Sequence, residues 1–142
     1  MYVRLPDLLA ELDFAKVQEN YRKRINQYIK CDLLILDEWL LIGTNNAEQQ
    51  DILEILEKRY RILSTVFCSQ FDVAGWHSKL GGGGLADAIM DRIVSKSQTI
   101  KIFGDKSMRR KKKKNNPDCT LFTVRILGGQ VHQNGWSTPS EF

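Results

Sequence analysis

The spacing of hydrophobic positions changes several times along the chain, and each change marks an element. Residues 2–5, YVRL, form a short stretch with strand character, followed by Pro6, which suits the first turn of a helix. Leu8, Leu9 and Leu12 then recur at helical spacing. A second helical pattern covers residues 17–29, with Tyr21, Ile25, Tyr28 and Ile29 on one face and Arg22, Lys23, Arg24 and Lys30 around the rest. Leu33, Leu34, Ile35 and Leu36 predict a strand, and an unbroken aliphatic run implies burial on both faces, as in parallel sheets covered by helices. Residues 47–60 predict a helix carrying Ile52, Leu53, Ile55, Leu56 and Tyr60. STVFCSQ (64–70) is short, β-branched and aromatic and reads as a strand. Residues 72–80 predict a short helix, Gly81 to Gly84 a loose connection, residues 85–95 a helix with Leu85, Ile89 and Ile93 stacked, and TIKIF (99–103) a strand. Strands alternating with helices predict an α/β layer fold with a mostly parallel sheet.

The remainder changes this picture little. From residue 115 the chain is rich in Gly, Asn, Ser and Pro, and most of it is expected to be poorly ordered, although CTLFTVRIL (119–127) has strand character. A length of 142 residues with 42% hydrophobic content suits one globular domain. No stretch approaches the ~20 apolar residues of a membrane span, and the first residues lack the pattern of a secretory signal. Cys31, Cys68 and Cys119 are scattered and odd in number, which fits reduced thiols in a cytoplasmic protein and supports neither a disulfide framework nor a zinc site.

The formal charge of +4 is local. Arg109, Arg110, Lys111, Lys112, Lys113 and Lys114 form one basic run, and the rest of the chain is close to neutral. Such a run reads either as a contact surface for an anionic partner or as a solvated tail.

The candidate chemistry lies in DLLILDEW (32–39), where the aliphatic run meets two adjacent carboxylates, Asp37 and Glu38. Burying two like charges is unfavourable, so the strand is expected to end at an open edge. The octet has the form of a Walker B element. Magnesium is a hard cation that favours carboxylate oxygens and keeps some of its waters, a role for Asp37. Glu38 would polarise the water that attacks the γ-phosphate. The plainer alternative is that both acids cap a strand and begin a turn.

In order, a Walker B strand, an amphipathic helix, a polar-ended strand, a Gly-rich segment and a helix with an arginine resemble an AAA+ P-loop ATPase. The segments YVRLPDLLAEL, DLLILDEW, DILEILEKRYRILSTVFCSQ, GWHSKLGGGGLADAIMDRIV and GDKSMRRK resemble the IstB-like ATP-binding proteins, helper ATPases of insertion-sequence transposition related to bacterial helicase loaders. The resemblance covers about residues 1–111. It implies that Gln70, or else Ser69, stands at a sensor-1 position touching the γ-phosphate or the attacking water. It implies an arginine finger for a neighbouring subunit at Arg92, with a surface ion pair to Asp87 or a neighbouring glutamate as the alternative, and a sensor-2 phosphate contact at Arg109, with a solvated tail as the alternative. Trp76 and His77 also match the family, where a packing role is the simpler reading.

The 142 residues contain no GxxxxGK[ST], the motif whose amides and lysine hold phosphates. The resemblance therefore implies a partial three-layer P-loop NTPase fold with its first strand and phosphate loop missing: residues 1–110 as the partial ATP-binding domain and 111–142 as a basic run and irregular tail. It implies ATP and Mg²⁺ as cofactors, held poorly by this chain alone. Transposase, DNA and further ATPase subunits are the implied partners, with no membrane contact. A non-catalytic module binding DNA or transposase, or a remnant, is the alternative function. In such ATPases the first strand lies between the STVFCSQ and TIKIF strands. Without it the sheet is expected to contract to three parallel strands, with TIKIF displaced or closing on STVFCSQ; the alternative is that CTLFTVRIL fills the gap or adds at an edge.

Overall fold

The structure, a computed structural model, describes residues 1–95, 97–104 and 120–127. Its elements in chain order are β1 (Tyr2–Arg4), α1 (Leu5–Val17), α2 (Tyr21–Lys30), β2 (Leu33–Asp37), α3 (Asn46–Arg59), β3 (Ser64–Ser69), α4 (Val73–Lys79), α5 (Gly83–Val94), β4 (Ser97–Gly104) and β5 (Thr120–Leu127). β1, β2 and β3 pair in parallel and five helices flank the sheet, the α/β architecture expected of a partial P-loop NTPase domain.

Local chemistry accounts for the boundaries. Pro6 sits in the first turn of α1. The chain breaks after Val17, where Glu19 adopts φ 59, so α2 starts at Tyr21 rather than at 17. Asn45 and Glu48 form a reciprocal capping box at the start of α3, and the Asp72 side chain accepts from the Val73 N–H at the start of α4. The glycine tetrad is not a loose connection. Gly81 and Gly82 make a tight turn at φ 81 and 71, their N–H groups donating to the carbonyls of Ser78 and His77. Gly83 and Gly84 already belong to α5.

The sheet does not contract. Its order is β1-β2-β3-β5-β4, with β5 antiparallel to both neighbours. TIKIF, within β4, is therefore neither displaced nor closed on β3. The CTLFTVRIL segment supplies β5 and fills the lane between them. The reason is main-chain satisfaction: an open lane would leave the donors and acceptors of β3 and β4 unpaired.

Coverage of the sheet is uneven. Leu34 and Leu36 of β2 are 0% and 3% exposed, whereas Leu33 is 40% exposed and Ile35 is half-buried. β3 repeats the alternation, with Thr65, Phe67 and Ser69 buried and Ser64, Val66 and Cys68 half-buried. Burial of β2 on both faces is thus corrected to full burial on one. The core against the covered face contains Leu8 and Leu12 of α1, Ile52 and Leu56 of α3, Trp76 of α4 and Ile89 of α5.

The other end of β3 is held by Arg59, buried at 1% exposure. Its guanidinium donates to the carbonyls of Tyr28, Ile29, Cys31 and Ser64 and to Thr65 Oγ1, joining the end of α2, the start of β2 and the start of β3. Burial lowers its pKa from the ordinary arginine value.

Candidate functional site

The parallel register brings Arg4 beside Asp37, and the last paired residues of β2 and β3 are Leu36 and Phe67. Asp37 closes β2. The chain then turns sharply, with Glu38 at φ 52 and Leu40 at φ 54, a left-handed conformation that costs a side-chain-bearing residue about 1 kcal/mol or more. The turn separates the acids from the residues that follow. Trp39 and Leu40 are fully buried, while Asp37 and Glu38 remain half-exposed.

The turn is anchored from below. Trp39 N–H donates to the Cys68 carbonyl at 2.9 Å. Its indole packs edge-on against Phe67, at 4.7 Å between ring centres, and against Trp76 at 5.9 Å. Ser69 Oγ donates to the Trp39 carbonyl at 3.0 Å and accepts from Phe71 N–H at 3.1 Å. The end of β3 and the acid turn are therefore one hydrogen-bonded unit.

The acids have partners on β1. Asp37 Oδ2 accepts from the Tyr2 hydroxyl at 2.6 Å, and Oδ1 accepts from Glu38 N–H at 2.8 Å. Arg4 lies 3.6 Å from Glu38 Oε1 and also grips Asp7 with two hydrogen bonds. The Asp37 hydrogen bond, with some desolvation and the charge of Asp37, raises the Tyr2 phenol above its ordinary value. Cys68, beyond Asp37 on the adjacent strand, has its thiol pushed up by burial and by the Asp37 charge.

The other expected site residues fall in different places. Ser69, 2% exposed, is committed to the turn below the acids. Gln70 follows β3 directly and is exposed, with no hydrogen bond among the described residues. Arg92 does not face the acids of its own chain. It pairs with Asp91 at 2.9 Å and Glu57 at 3.6 Å and lies over the Tyr60 ring. Asp91 is its neighbour on α5, whereas Glu57 and Tyr60 lie at the end of α3, which leads into the start of β3, the end of that strand opposite the acid turn. The surface ion pair expected as the alternative is thus present with Glu57, while Asp87 pairs with His77 at 2.8 Å, and Trp76 is a core residue. Arg109, Arg110, Lys111, Lys112, Lys113 and Lys114 lie outside the described residues.

Two carboxylates suit magnesium, which takes one or two protein carboxylates and completes its shell with water and phosphate oxygens. No group of three or more His, Cys, Asp or Glu residues among the described ones forms a cage for a metal. The donor set fits an ion shared with a phosphate ligand better than one held by protein alone.

The model of the IstB-like ATP binding protein family matches residues 1–116. The chain belongs to this family. Among its relatives, an insertion-sequence ATP-binding protein of Sinorhizobium fredii is 38% identical over 114 residues, 80% of this chain and 46% of that protein. Another from the same organism is 40% identical over 110 residues, 78% of this chain and 44% of that protein. The IS21 ATP-binding protein of Pseudomonas aeruginosa is 30% identical over 135 residues, 95% of this chain and 51% of that protein. The chain thus spans about half the length of the curated relatives it matches. DLLILDEW, Gln70 and Arg92 all fall inside the family match, and β5 falls outside it. No helix among the described residues is long and apolar enough to cross a membrane.

Tyr2 and Arg4 are the site neighbours that sequence reading missed. Their spacing of two places both on one face of a strand. The signal was therefore present, but only the parallel register of β1 against β2 aims that face at the acids.

Proposed function

We propose that this IstB-like chain carries the acids that hold magnesium and polarise water in an ATP-binding helper of insertion-sequence transposition. The observation that best supports this reading is the position of Asp37 and Glu38. They lie half-exposed at the end of a parallel strand, beside the end of β3, on a left-handed turn anchored by Trp39 and Ser69.

Asp37 presents carboxylate oxygens to the ion or its water, with Tyr2 fixing the side-chain direction. Magnesium, when bound, supplies charge neutralisation for phosphoryl transfer. Glu38, released from Arg4, accepts the hydrogen bond of an attacking water. Gln70 is free to hydrogen-bond a phosphate oxygen or that water. Arg92, beside the end of α3 and away from the acid turn, serves a neighbouring subunit's nucleotide. The phosphate grip is not encoded within these 142 residues, which contain no GxxxxGK[ST]. Arg109, Arg110 and Lys111 to Lys114 contact DNA phosphates, with transposase as the protein partner.

A steady-state assay with Mg·ATP tests this division of labour. The 142-residue chain alone should give no rate above buffer. Added to the full-length Sinorhizobium fredii relative, it should change that protein's turnover, and Arg92→Ala should remove the effect. A rate from the chain alone that Glu38→Gln abolishes would overturn the assignment of the phosphate grip elsewhere. Absence of any effect on the relative would overturn the role given to Arg92. The same absence of a phosphate-binding motif favours the second reading, a non-catalytic module that docks on DNA, transposase or intact ATPase subunits.

A further inference from the structure

Tyr60 joins the ends of two helices. It is the C-cap of α3, where its N–H donates to the Leu56 carbonyl at 2.8 Å. Its hydroxyl hydrogen-bonds Ser95 Oγ, also at 2.8 Å, and Ser95 is the C-cap of α5. The ring is therefore pinned through the backbone at one end and through the phenol at the other. Arg92 stands three residues before Ser95, about one helical turn away on the same face of α5. Its guanidinium carbon lies 5.3 Å from the centre of the Tyr60 ring, within the range of a cation–π contact.

The other contacts of Arg92 are of a different kind. Nη1 donates to Asp91 Oδ2 at 2.9 Å, and Nη2 faces Glu57 Oε1 at 3.6 Å. The two carboxylate side chains are 69% and 50% exposed, and exposed ion pairs are weak. They occupy the N–H donors of the guanidinium, the groups through which arginine grips oxyanions. The ring contact uses no acceptor oxygen and does not neutralise the charge. Arg61 lies over the same ring, 5.0 Å from its centre, so one aromatic side chain gathers two cations and cancels neither. Phosphate oxygens can therefore replace the carboxylates while the contact with Tyr60 stays in place.

We propose that Tyr60 is the positioning residue for Arg92: its ring holds the guanidinium while the N–H groups exchange Glu57 and Asp91 for phosphate oxygens of a neighbouring subunit's nucleotide. This inference rests on the role given to Arg92 above. Placing a long side chain in advance lowers the entropy it loses on meeting its anion. The ring does the placing, and the hydroxyl, through Ser95, steadies the ring. Tyr60→Phe separates the two, because it keeps the ring and drops the bond to Ser95.

Two readouts test the assignment. In the isotopically labelled 142-residue chain, the Arg92 Nε–H signal, identified by its loss in Arg92→Lys, should be displaced upfield by the ring current of Tyr60. Tyr60→Leu should return it to the free-arginine position, and Tyr60→Phe should retain the displacement. A signal at the free-arginine position in the unsubstituted chain overturns the assignment, whether or not the variants fold. The second readout is the change that the chain causes in the turnover of the full-length Sinorhizobium fredii relative. Loss of an exposed cation–π contact should reduce that change roughly two- to fivefold in Tyr60→Leu, with Tyr60→Phe matching the parent. Reductions in both variants that follow their urea midpoints would mark a merely structural tyrosine and overturn the assignment. If Arg92→Ala abolishes the change and Tyr60→Leu does not reduce it, the positioning role alone fails. If Arg92→Ala leaves the change intact, the role of Arg92 fails and takes the positioning role with it.

Discussion

Arg4 Nη1 stands 3.6 Å from Glu38 Oε1, so the residue proposed to polarise water is paired with a cation from the neighbouring strand. Arg4 is about half exposed and is also engaged by Asp7, whose hydrogen bonds and charge, with the charge of Glu38, raise the arginine's pKa. An exposed pair of this kind contributes little to stability. Its larger effect is on the local field. A charge near 4 Å in water changes an ion's interaction by about 1 kcal/mol. Arg4→Ala is therefore expected to tighten Mn²⁺ binding at the acid pair roughly fivefold while leaving the urea midpoint nearly unchanged. Calorimetric titration measures the first and denaturation the second.

Arg59 should be among the least replaceable residues. Its guanidinium serves four carbonyls from three segments, and each charged hydrogen bond is worth about 1.5–3 kcal/mol. Arg59→Met should destabilise the chain by about 3–5 kcal/mol. Arg59→Lys should recover only part of this, because an ammonium cannot reproduce the fork. Urea unfolding of both variants measures the difference.

Ser69→Ala separates two roles for that side chain. The structure commits its hydroxyl to the Trp39 carbonyl and the Phe71 N–H. Loss of a buried hydroxyl with two such partners should cost about 1–3 kcal/mol. Gln70→Ala, exposed and without such bonds, should leave stability within about 0.5 kcal/mol of the parent. Equal stability of the two variants would contradict the anchoring role of Ser69.

Tyr21 and Tyr28 link stability to alkaline pH. Burial raises both phenols well above the ordinary range, aided by hydrogen bonds to Asp51 and Glu11 respectively. A group whose pKa is higher in the folded chain contributes stability that is complete below its unfolded value and is lost as pH rises past it. For tyrosine that decline begins near pH 10. Unfolding followed from about pH 9 to about pH 11 should show a falling stability whose slope is shallower in the Tyr21→Phe/Tyr28→Phe chain.

Much of this arrangement was legible in the residues. Helical spacing of Leu8, Leu9 and Leu12, the β-branched STVFCSQ strand and the acid-ended DLLILDEW strand all recur as elements, since each rests on a local periodicity. The features that were not legible are relational. Four consecutive aliphatic residues do not reveal that Leu33 and Ile35 face a less covered side. Four glycines gave no sign that Gly83 and Gly84 would enter α5, because hydrogen bonds from Gly81 and Gly82 fix the turn that precedes it. Capture of CTLFTVRIL between β3 and β4 depends on two edges formed far away in sequence. The attachment of Tyr2 and Arg4 to the acids likewise needs the β1–β2 register.

The central claim, that Asp37 and Glu38 form a divalent-cation site at the end of β2, is tested most directly by paramagnetic broadening. Mn²⁺ titrated into the isotopically labelled 142-residue chain should broaden the amide signals of Asp37, Glu38 and the adjoining end of β3 at Cys68 and Ser69, and Asp37→Asn should abolish the effect. Broadening that is absent there, or that persists unchanged in Asp37→Asn, would contradict the account.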